Sequence, residues 1–153
     1  MSSRTLRIDQ RDSGFNFLQD RKFALTLELN PDVRWAITEN SGAATVTDNL
    51  SHVKISSLQL NTGASKDDIT LGSPSGTVPV EVDGGALTVH VHRPSGGSAS
   101  GDVSGGAISL DADGHSSHAF GELTYGSVSG DGYQVKVNGG ACTVTLDAAA
   151  PSG

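Results

Sequence analysis

A four-residue motif recurs along this chain, and its spacing constrains the fold more than any other feature. The motif consists of a polar residue, a small residue, glycine and alanine, and it occupies positions 40–43, 61–64, 83–86, 104–107 and 138–141. Its five alanines lie 21, 22, 21 and 34 residues apart. Such a period is typical of a solenoid, in which one structural unit repeats along an axis.

The residues on either side of the motif alternate between apolar and polar, which indicates β-strands rather than helices. Four residues before the alanines stand Glu39, Leu60, Val82, Val103 and Val137. After the motif a second alternating run begins, as in Leu87, Val89 and Val91. Alternate side chains of a strand share one side, so these columns face inward together. Parallel stacking with the usual right-handed crossover predicts an all-β fold, a right-handed parallel β-helix (solenoid) with about 21–22 residues per coil.

The motif itself predicts a tight corner between the two strands of a coil. We expect its glycine to supply a positive φ angle, and its alanine to pack where the bend leaves little room. The polar first residue can bond its own backbone and, when coils stack, can form a ladder with its equivalents.

The length of 153 residues suits one domain with its own core. We expect residues 1–30 to form an N-terminal cap and the first strands, residues 31–147 the β-helical repeat domain, and residues 148–153 a disordered tail. The ends of a solenoid need such caps because they would otherwise expose strand edges. The apolar residues available for this cap are Phe15, Phe17, Leu25, Leu27 and Leu29.

Charge and targeting signals exclude several classes of partner. The net charge is −7 without a basic stripe, which argues against nucleic acid or an anionic membrane surface. No run approaches the ~18 apolar residues of a spanning helix, and the N-terminus lacks an apolar signal core. We expect the chain as given to be soluble, without direct membrane insertion. Cys142, at an inward position, is expected to be a small core residue.

Two outward columns of the second strand carry histidines and carboxylates. Alignment on the corner alanine gives two columns: Asp68, His90, Asp111 and Thr145 in one, and Thr70, His92, Asp113 and Asp147 in the next. With neighbouring coils about 4.8 Å apart, His90 would lie beside Asp68 and Asp111, and His92 beside Asp113. This polar face could bind Zn²⁺, but we favour a solvated ladder of opposite charges because the third and fourth ligands are only inferred. We therefore predict neither a metal nor a cofactor.

Three of these carboxylates, Asp68, Asp111 and Asp113, could instead cleave a glycan, as carboxylates do in β-helical lyases and hydrolases. The sequence offers no clustered aromatic platform for a sugar and no long groove-forming loops. We predict that the chain is not an enzyme and has no catalytic residues.

The interval between Ala107 and Ala141 exceeds the period by about a dozen residues, which fall within positions 115–126. Insertions in solenoids become surface loops, often on the binding face. The segment carries His115, His118, Phe120 and Tyr125, so it is a candidate interaction loop. Alternatively, its two aromatic residues fold back as a lid over the last coil.

A family resemblance rests on the segments 49–51, 58–65, 69–71, 80–86 and 133–141. Together they give the run from Trp35 to Asp147, about three quarters of the chain, which resembles the C-terminal domain of LiaF-like cell-wall-active antibiotic response proteins. It is also similar to the wider group of predicted adhesin domains of bacterial β-strand repeat type. The resemblance implies a non-catalytic bacterial module, usually carried behind transmembrane helices and in some members linked to envelope-stress signalling through a membrane sensor. Asp67 departs from it, because this inward position tends to be apolar in the family, and we expect that coil to be bulged.

We therefore predict a non-catalytic β-helical interaction module of the bacterial cell envelope, active in envelope-stress signalling or adhesion. Its partner would be a protein in or near the membrane, or a second copy of itself. The chain would belong to a larger envelope-associated membrane protein, or be soluble as given. Two alternatives remain open, a polysaccharide-cleaving enzyme that uses the carboxylate face and a self-assembling, bactofilin-like scaffold.

Overall fold

The computed structural model describes residues 3–9, 29–95 and 97–148 of the chain. Within these ranges every regular element is a β-strand. The strands are β1 (Ser3–Asp9), β2 (Arg34–Asn40), β3 (Ala43–Leu50), β4 (Lys54–Asn61), β5 (Ala64–Leu71), β6 (Thr77–Asp83), β7 (Ala86–Arg93), β8 (Ser98–Ala112), β9 (His115–Gly126) and β10 (Gly132–Ala148). No helix that could span a membrane occurs in these ranges.

The strands form two parallel stacks that meet at the corner motif. One stack contains β1, β2, β4, β6 and the first half of β10, and the other contains β3, β5, β7 and the second half of β10. The corner alanines align as predicted, with Ala64 paired to Ala43 and Ala86, and Ala141 paired to Ala86 and Ala107. The prediction of an all-β, solenoid-like fold of stacked parallel strands is thus confirmed.

The two stacks enclose one hydrophobic core. Its members come from the predicted inward columns, and Leu60, Val82, Val103 and Val137 are fully buried. Each such side chain contributes about 1.5–3 kcal/mol by leaving water, before the loss of chain entropy is counted. Cys142 is also buried, as expected of a core residue. Because one coil cannot bury its own inward face, the stability of the fold is collective.

The spatial order of the last coils differs from their order in the sequence. β8 lies next to neither β6 nor β7. β10 lies in between, with β6 and β7 on one side and β8 on the other. β8 then pairs with β9 in the antiparallel direction. This antiparallel pairing results from the two-residue turn at Asp113 and Gly114, where both φ angles are positive, at 50° and 81°. Turns of this kind reverse a strand directly into a hairpin.

The segment predicted to be a surface loop is therefore a strand, β9, and the loop prediction is wrong. The alternative of an aromatic lid holds for only one of the two aromatic residues. Tyr125 is partly buried and packs against the core together with Leu123, whereas Phe120 is 88% exposed. The solenoid thus ends in a strand whose outer face is open.

The corner glycines serve a different purpose from the one predicted. None of those in the motif has a positive φ angle. Instead, neighbouring corners approach closely enough for backbone hydrogen bonds, from Gly63 N to Gly42 O at 2.6 Å and from Gly85 N to Gly63 O at 2.6 Å. A Cβ atom on Gly84 would lie 2.6 Å from the carbonyl oxygen of Thr62. The absent side chain is needed because backbones stack there.

The polar residues of the corner form the predicted ladder. Asn61 Nδ2 donates to Asn40 Oδ1 at 2.8 Å, and Asn138 Nδ2 donates to Asp83 Oδ1 at 2.8 Å. Ser104 Oγ donates to Asn138 Oδ1 at 2.5 Å, which extends the ladder to β8. Neighbouring corners are thus joined by hydrogen bonds of both their backbones and their side chains.

The N-terminal part agrees with the sequence where it is described. β1 pairs with β2, and Leu29 packs against the core. Phe15, Phe17, Leu25 and Leu27 lie outside the described residues, as do residues 149–153, so the cap and the tail stay predictions. The coil that contains Asp67 is bulged, as predicted: β4, the strand before β5, has one extra residue, Ser56, where its register against β2 shifts between Trp35 and Ala36. β5 itself keeps a continuous register with both neighbours.

Replacement of a corner glycine tests the role of backbone stacking. We expect Gly84→Ala to lower the free energy of unfolding by about 2–3 kcal/mol, because the new methyl group would collide with a backbone carbonyl that cannot move freely. Gly97→Ala is the matched control, since its Cβ would meet only ordinary contacts at 3.8–3.9 Å, and it should change stability by less than about 1 kcal/mol. Urea denaturation measures both. Equal costs for the two variants would contradict this account of the corner.

Candidate interaction surfaces

The outward polar face is organised around His92 on β7. Its Nδ1 atom lies 2.6 Å from Oδ1 of Asp147 on β10, and its Nε2 atom lies 3.3 Å from Oδ1 of Asp68 on β5. One imidazole therefore bridges three neighbouring strands. Both ring nitrogens are engaged by carboxylates, so this side chain stabilises the register of the sheet as a solvated ladder would.

The neighbours of His90 are only partly those predicted. It lies opposite Asp68 on β5, as expected, but on its other side it faces Thr145 rather than Asp111. The reason is that β10 separates β7 from β8. Asp111 lies on β8, where it accepts a hydrogen bond from Ser116 Oγ at 2.8 Å.

The pairing predicted between His92 and Asp113 is also wrong, for the same reason. Asp113 lies in the turn after β8 and forms an ion pair with Arg93, whose Nη2 atom is 2.6 Å from its Oδ2 atom. Tyr125 Oη donates to the same carboxylate oxygen at 3.1 Å, a hydrogen bond that raises the pKa of the tyrosine. Arg93, only 8% exposed, also donates to the carbonyl oxygen of Gly97. These contacts tie β9 to the end of β7.

The positions of the side chains on the outward polar face test whether it could bind a metal ion or cleave a glycan. Among the described residues, no group of three or more His, Cys, Asp or Glu side chains is arranged to hold a metal ion. Asp68 and Asp111 lie three strand positions apart, which corresponds to about 14 Å between their strands. Carboxylate pairs that cleave glycosides lie about 5–9.5 Å apart. Asp68 is thus too far from Asp111 for this chemistry, whereas Asp113 follows Asp111 by two residues.

A second group of carboxylates faces the interior, near the first coils. Asp67 on β5 is 0% exposed, and its Oδ2 atom accepts a hydrogen bond from Ser65 Oγ at 2.7 Å. Its Oδ1 atom has no hydrogen-bond partner in the described part of the chain. Glu39 on β2 and Asp48 on β3 occupy other inward columns, opposite Leu60 and Ile69 respectively. Three carboxylates therefore occupy inward columns whose neighbouring positions are apolar.

The environment of this group disfavours its charged forms. Burial raises the pKa of Glu39 from its usual 4.5 to about 7, with further contributions from the charges of Asp48 and Asp67. Burial, followed by the charge of Asp67, raises the pKa of Asp48 to about 6. Burial also raises the pKa of Asp67, against the opposing effect of its hydrogen bond from Ser65. The cluster gains protons on folding at neutral pH.

The last surface is the outer edge of β9. In the described part of the chain this strand pairs only with β8. Of the predicted interaction residues, His115, His118 and Phe120 are exposed, whereas Tyr125 is half-buried in the contacts described above. The side chain of Phe120 points outward from the corner, opposite Gly106 and Ala107, where the register between β8 and β9 shifts. The edge and its exposed aromatic ring form one continuous surface.

Comparison with known proteins identifies the family. Residues 1–92 match the N-terminal domain of toast_rack, DUF2154, and this match covers more than half of the chain. The chain belongs to the toast_rack N-terminal domain family. The match ends at His92, within β7, so the inserted β10 and the β8–β9 hairpin of this toast_rack domain lie beyond it. No curated protein sequence matches the chain.

A solved structure shares the fold of this toast_rack domain. It is the crystal structure of a protein described as a putative cell adhesion protein from Clostridium sporogenes, with a TM-score of 0.66 and 19% sequence identity. The similarity covers 78% of this chain and 58% of that chain, so the toast_rack domain spans a little more than half the length of that protein. At this identity the likeness concerns the fold alone.

Sequence reasoning missed several residues of these surfaces for identifiable reasons. The Asp113–Gly114 pair between alternating runs is a strong hairpin signal, and it would have turned the predicted loop into β9. Glu39 and Asp67 do stand at inward positions, so their burial could be inferred. Alignment on the corner alanines does place Asp147 in the column of His92. Neither their contact nor that of Arg93 with Asp113 follows from this alignment, because both contacts depend on the position of β10.

The buried carboxylates make stability depend on pH. Their pKa values are higher in the folded chain than in the unfolded chain, so the stabilisation is complete below about pH 4 and is lost as the pH rises through about 7. We expect the melting temperature to be about 5 °C lower at pH 8 than at pH 5. Glu39→Gln should raise it at pH 8 and leave it nearly unchanged at pH 5. Circular dichroism at both pH values measures this.

The control for this experiment is Asp32→Asn, which removes one carboxylate from an exposed turn before β2. It should shift the melting temperature by less than about 1 °C at either pH, because surface charges contribute little. An effect of Glu39→Gln that is equal at pH 5 and pH 8 would show that charge burial is not the cause.

Proposed function

We propose that this chain is a non-catalytic interaction module of the bacterial cell envelope, acting in adhesion or in envelope-stress signalling. Its contact surface is the β9 edge, and its partner is a protein in or near the membrane, or a second copy of the chain. The toast_rack family match and the fold shared with a protein described in terms of cell adhesion support this role.

The observation that carries the proposal is the open edge of β9. Exposed strands that lack protection recruit further strands, and proteins usually protect them with lysine, proline or strong bulges. β9 contains neither lysine nor proline in the sequence His115–Gly126, and its register shift against β8 lies at the corner. An extended partner segment could therefore add to the sheet through backbone hydrogen bonds, with side-chain contacts to the exposed Phe120.

Two finer statements belong to the same proposal. A right-handed winding with 21–22 residues per coil follows from the crossover rule and from the spacing of the corner motifs. A functional link to LiaF-like cell-wall-active antibiotic response proteins follows from the sequence resemblance, and it would place the module in a larger envelope-associated protein.

Polysaccharide cleavage is the weaker alternative, because Asp68 and Asp111 lie on strands about 14 Å apart and Asp113 is held in an ion pair with Arg93. Open-ended, bactofilin-like assembly is also weaker. A head-to-tail polymer of this kind needs the last strand to continue the parallel stack, whereas β9 runs antiparallel to β8.

Affinity capture tests the proposed function. The immobilised chain is exposed to detergent-solubilised envelope from the organism that produces it, alongside the Phe120→Ser variant and the control variant His52→Glu, which changes an exposed loop residue. We expect one envelope protein to be retained by the original chain and by the control, and retained at least about tenfold less by Phe120→Ser. Retention of the same proteins by all three forms, or of none by any, would contradict the proposal.

A further inference from the structure

The exposed side chains of β9 form a pattern that is complementary to itself. His118, Phe120 and Glu122 share the outward face, since their neighbours at 117, 119, 121 and 123 face the core side of the strand. The aromatic ring lies at the centre, with an imidazole two residues before it and a carboxylate two residues after it. Phe120 is the exposed large hydrophobic residue of the described chain.

Antiparallel pairing of two copies of β9 uses this pattern fully. If Phe120 lies opposite Phe120 of the second copy, His118 lies opposite Glu122 of the second copy, and the two-fold symmetry repeats that contact. An imidazole can donate a hydrogen bond to a carboxylate and, when protonated, form an ion pair with it. The same register places Ser116 opposite Thr124, so no like charges face each other.

The shape of β9 also selects its partner. The strand turns the corner at Gly121, where φ is +102° and the register against β8 shifts. A straight strand could pair with only one of the two halves. In the register centred on Phe120, Gly121 of each copy lies opposite Ala119 of the other, so the two bends lie within two residues of each other and both halves can pair.

Direction of pairing then limits the assembly. Two identical strands in antiparallel contact are related by a two-fold axis, which closes the interface after two copies. We propose that the partner of the β9 edge is a second copy of this chain, in an antiparallel β9–β9 dimer centred on Phe120. This inference rests on the proposed function and names the partner of the same surface.

Charge reversal tests the register of the dimer. Sedimentation velocity over a concentration series is expected to give a weak dimer, with Kd in about the micromolar to submillimolar range. His118→Glu places two carboxylates opposite each other, twice in each dimer. Glu122→Lys places an ammonium group opposite each imidazole and removes the carboxylate to which that imidazole would donate. Each substitution alone should raise Kd about tenfold. Phe120→Ser should raise it at least about tenfold.

Mixing the two variants gives the sharper result. In a mixed dimer of His118→Glu with Glu122→Lys, every facing pair is again of opposite character, so the mixture should dimerise with a Kd near that of the original chain. The double variant on one chain should also recover. His52→Glu makes the same chemical change at an exposed position outside β9 and should leave Kd unchanged. All substituted positions are exposed, so the fold is expected to persist, which circular dichroism verifies.

Three outcomes would overturn the inference: a chain that stays monomeric up to about 1 mM, a dimer that is insensitive to all three β9 substitutions, or a mixture that is no better than either variant alone. The capture experiment separates this failure from that of the proposed function. Retention through β9 of an envelope protein that lacks this domain would overturn self-pairing and leave the function standing. If the chain dimerises through β9 but captures from the envelope no protein that carries the domain, the pairing is supported and the proposed function is contradicted.

Discussion

The double pairing of β10 is the constraint on which the rest of this structure depends. Each half of the strand is bonded on both sides, the first half between β6 and β8 and the second half between β7 and β8. Tyr133 adds a buried anchor, since its hydroxyl donates to the carbonyl oxygen of Gly72 at 2.6 Å. Without β10, the edges of β6, β7 and β8 would all lack partners.

The surfaces that face solvent follow from this placement. Insertion of β10 brings Asp147 to His92 and moves β8, with Asp111, away from the histidine column. It also leaves β9 as the last strand of the sheet. The antiparallel direction of β9 ends the parallel stack, so the end of the solenoid differs in kind from the coils before it. A surface suited to pairing is thus a consequence of how the chain closes its core.

Each end of the solenoid contains a feature that does not stabilise the isolated chain: buried carboxylates at one end and an exposed aromatic ring at the other. Near the first coils, Glu39, Asp48 and Asp67 occupy positions that are apolar in the later coils, and burial makes their charged forms unfavourable. At the other end an aromatic ring is left in water. Neither feature improves the stability of the isolated chain. Costs of this kind are common where a protein performs its function.

Most of the repeat architecture could be predicted from particular residues. The spacing of the alanines fixed the register of the corners, because a repeated unit of constant length must stack with its equivalents in line. The alternation around Val82 and Val137 predicted which side chains are buried, and the polar first residue of the motif predicted the Asn ladder. The candidate surfaces were predicted less well. The residues of the polar face were named, but two of their neighbours were wrong.

The sequence by itself determined the local elements of this protein: the strands, their inward faces and the corners between them. These depend on interactions among residues close in the chain and on a periodicity that any stacked arrangement must respect. Only the tertiary structure decided that β10 lies between β7 and β8, that His92 contacts Asp147, and that β9 pairs with β8 alone among the described strands. The physical reason is that equivalent coils present nearly identical edges, so local residues do not specify which edge pairs with which. That choice depends on the hairpin at Asp113 and Gly114 and on the packing of the whole core.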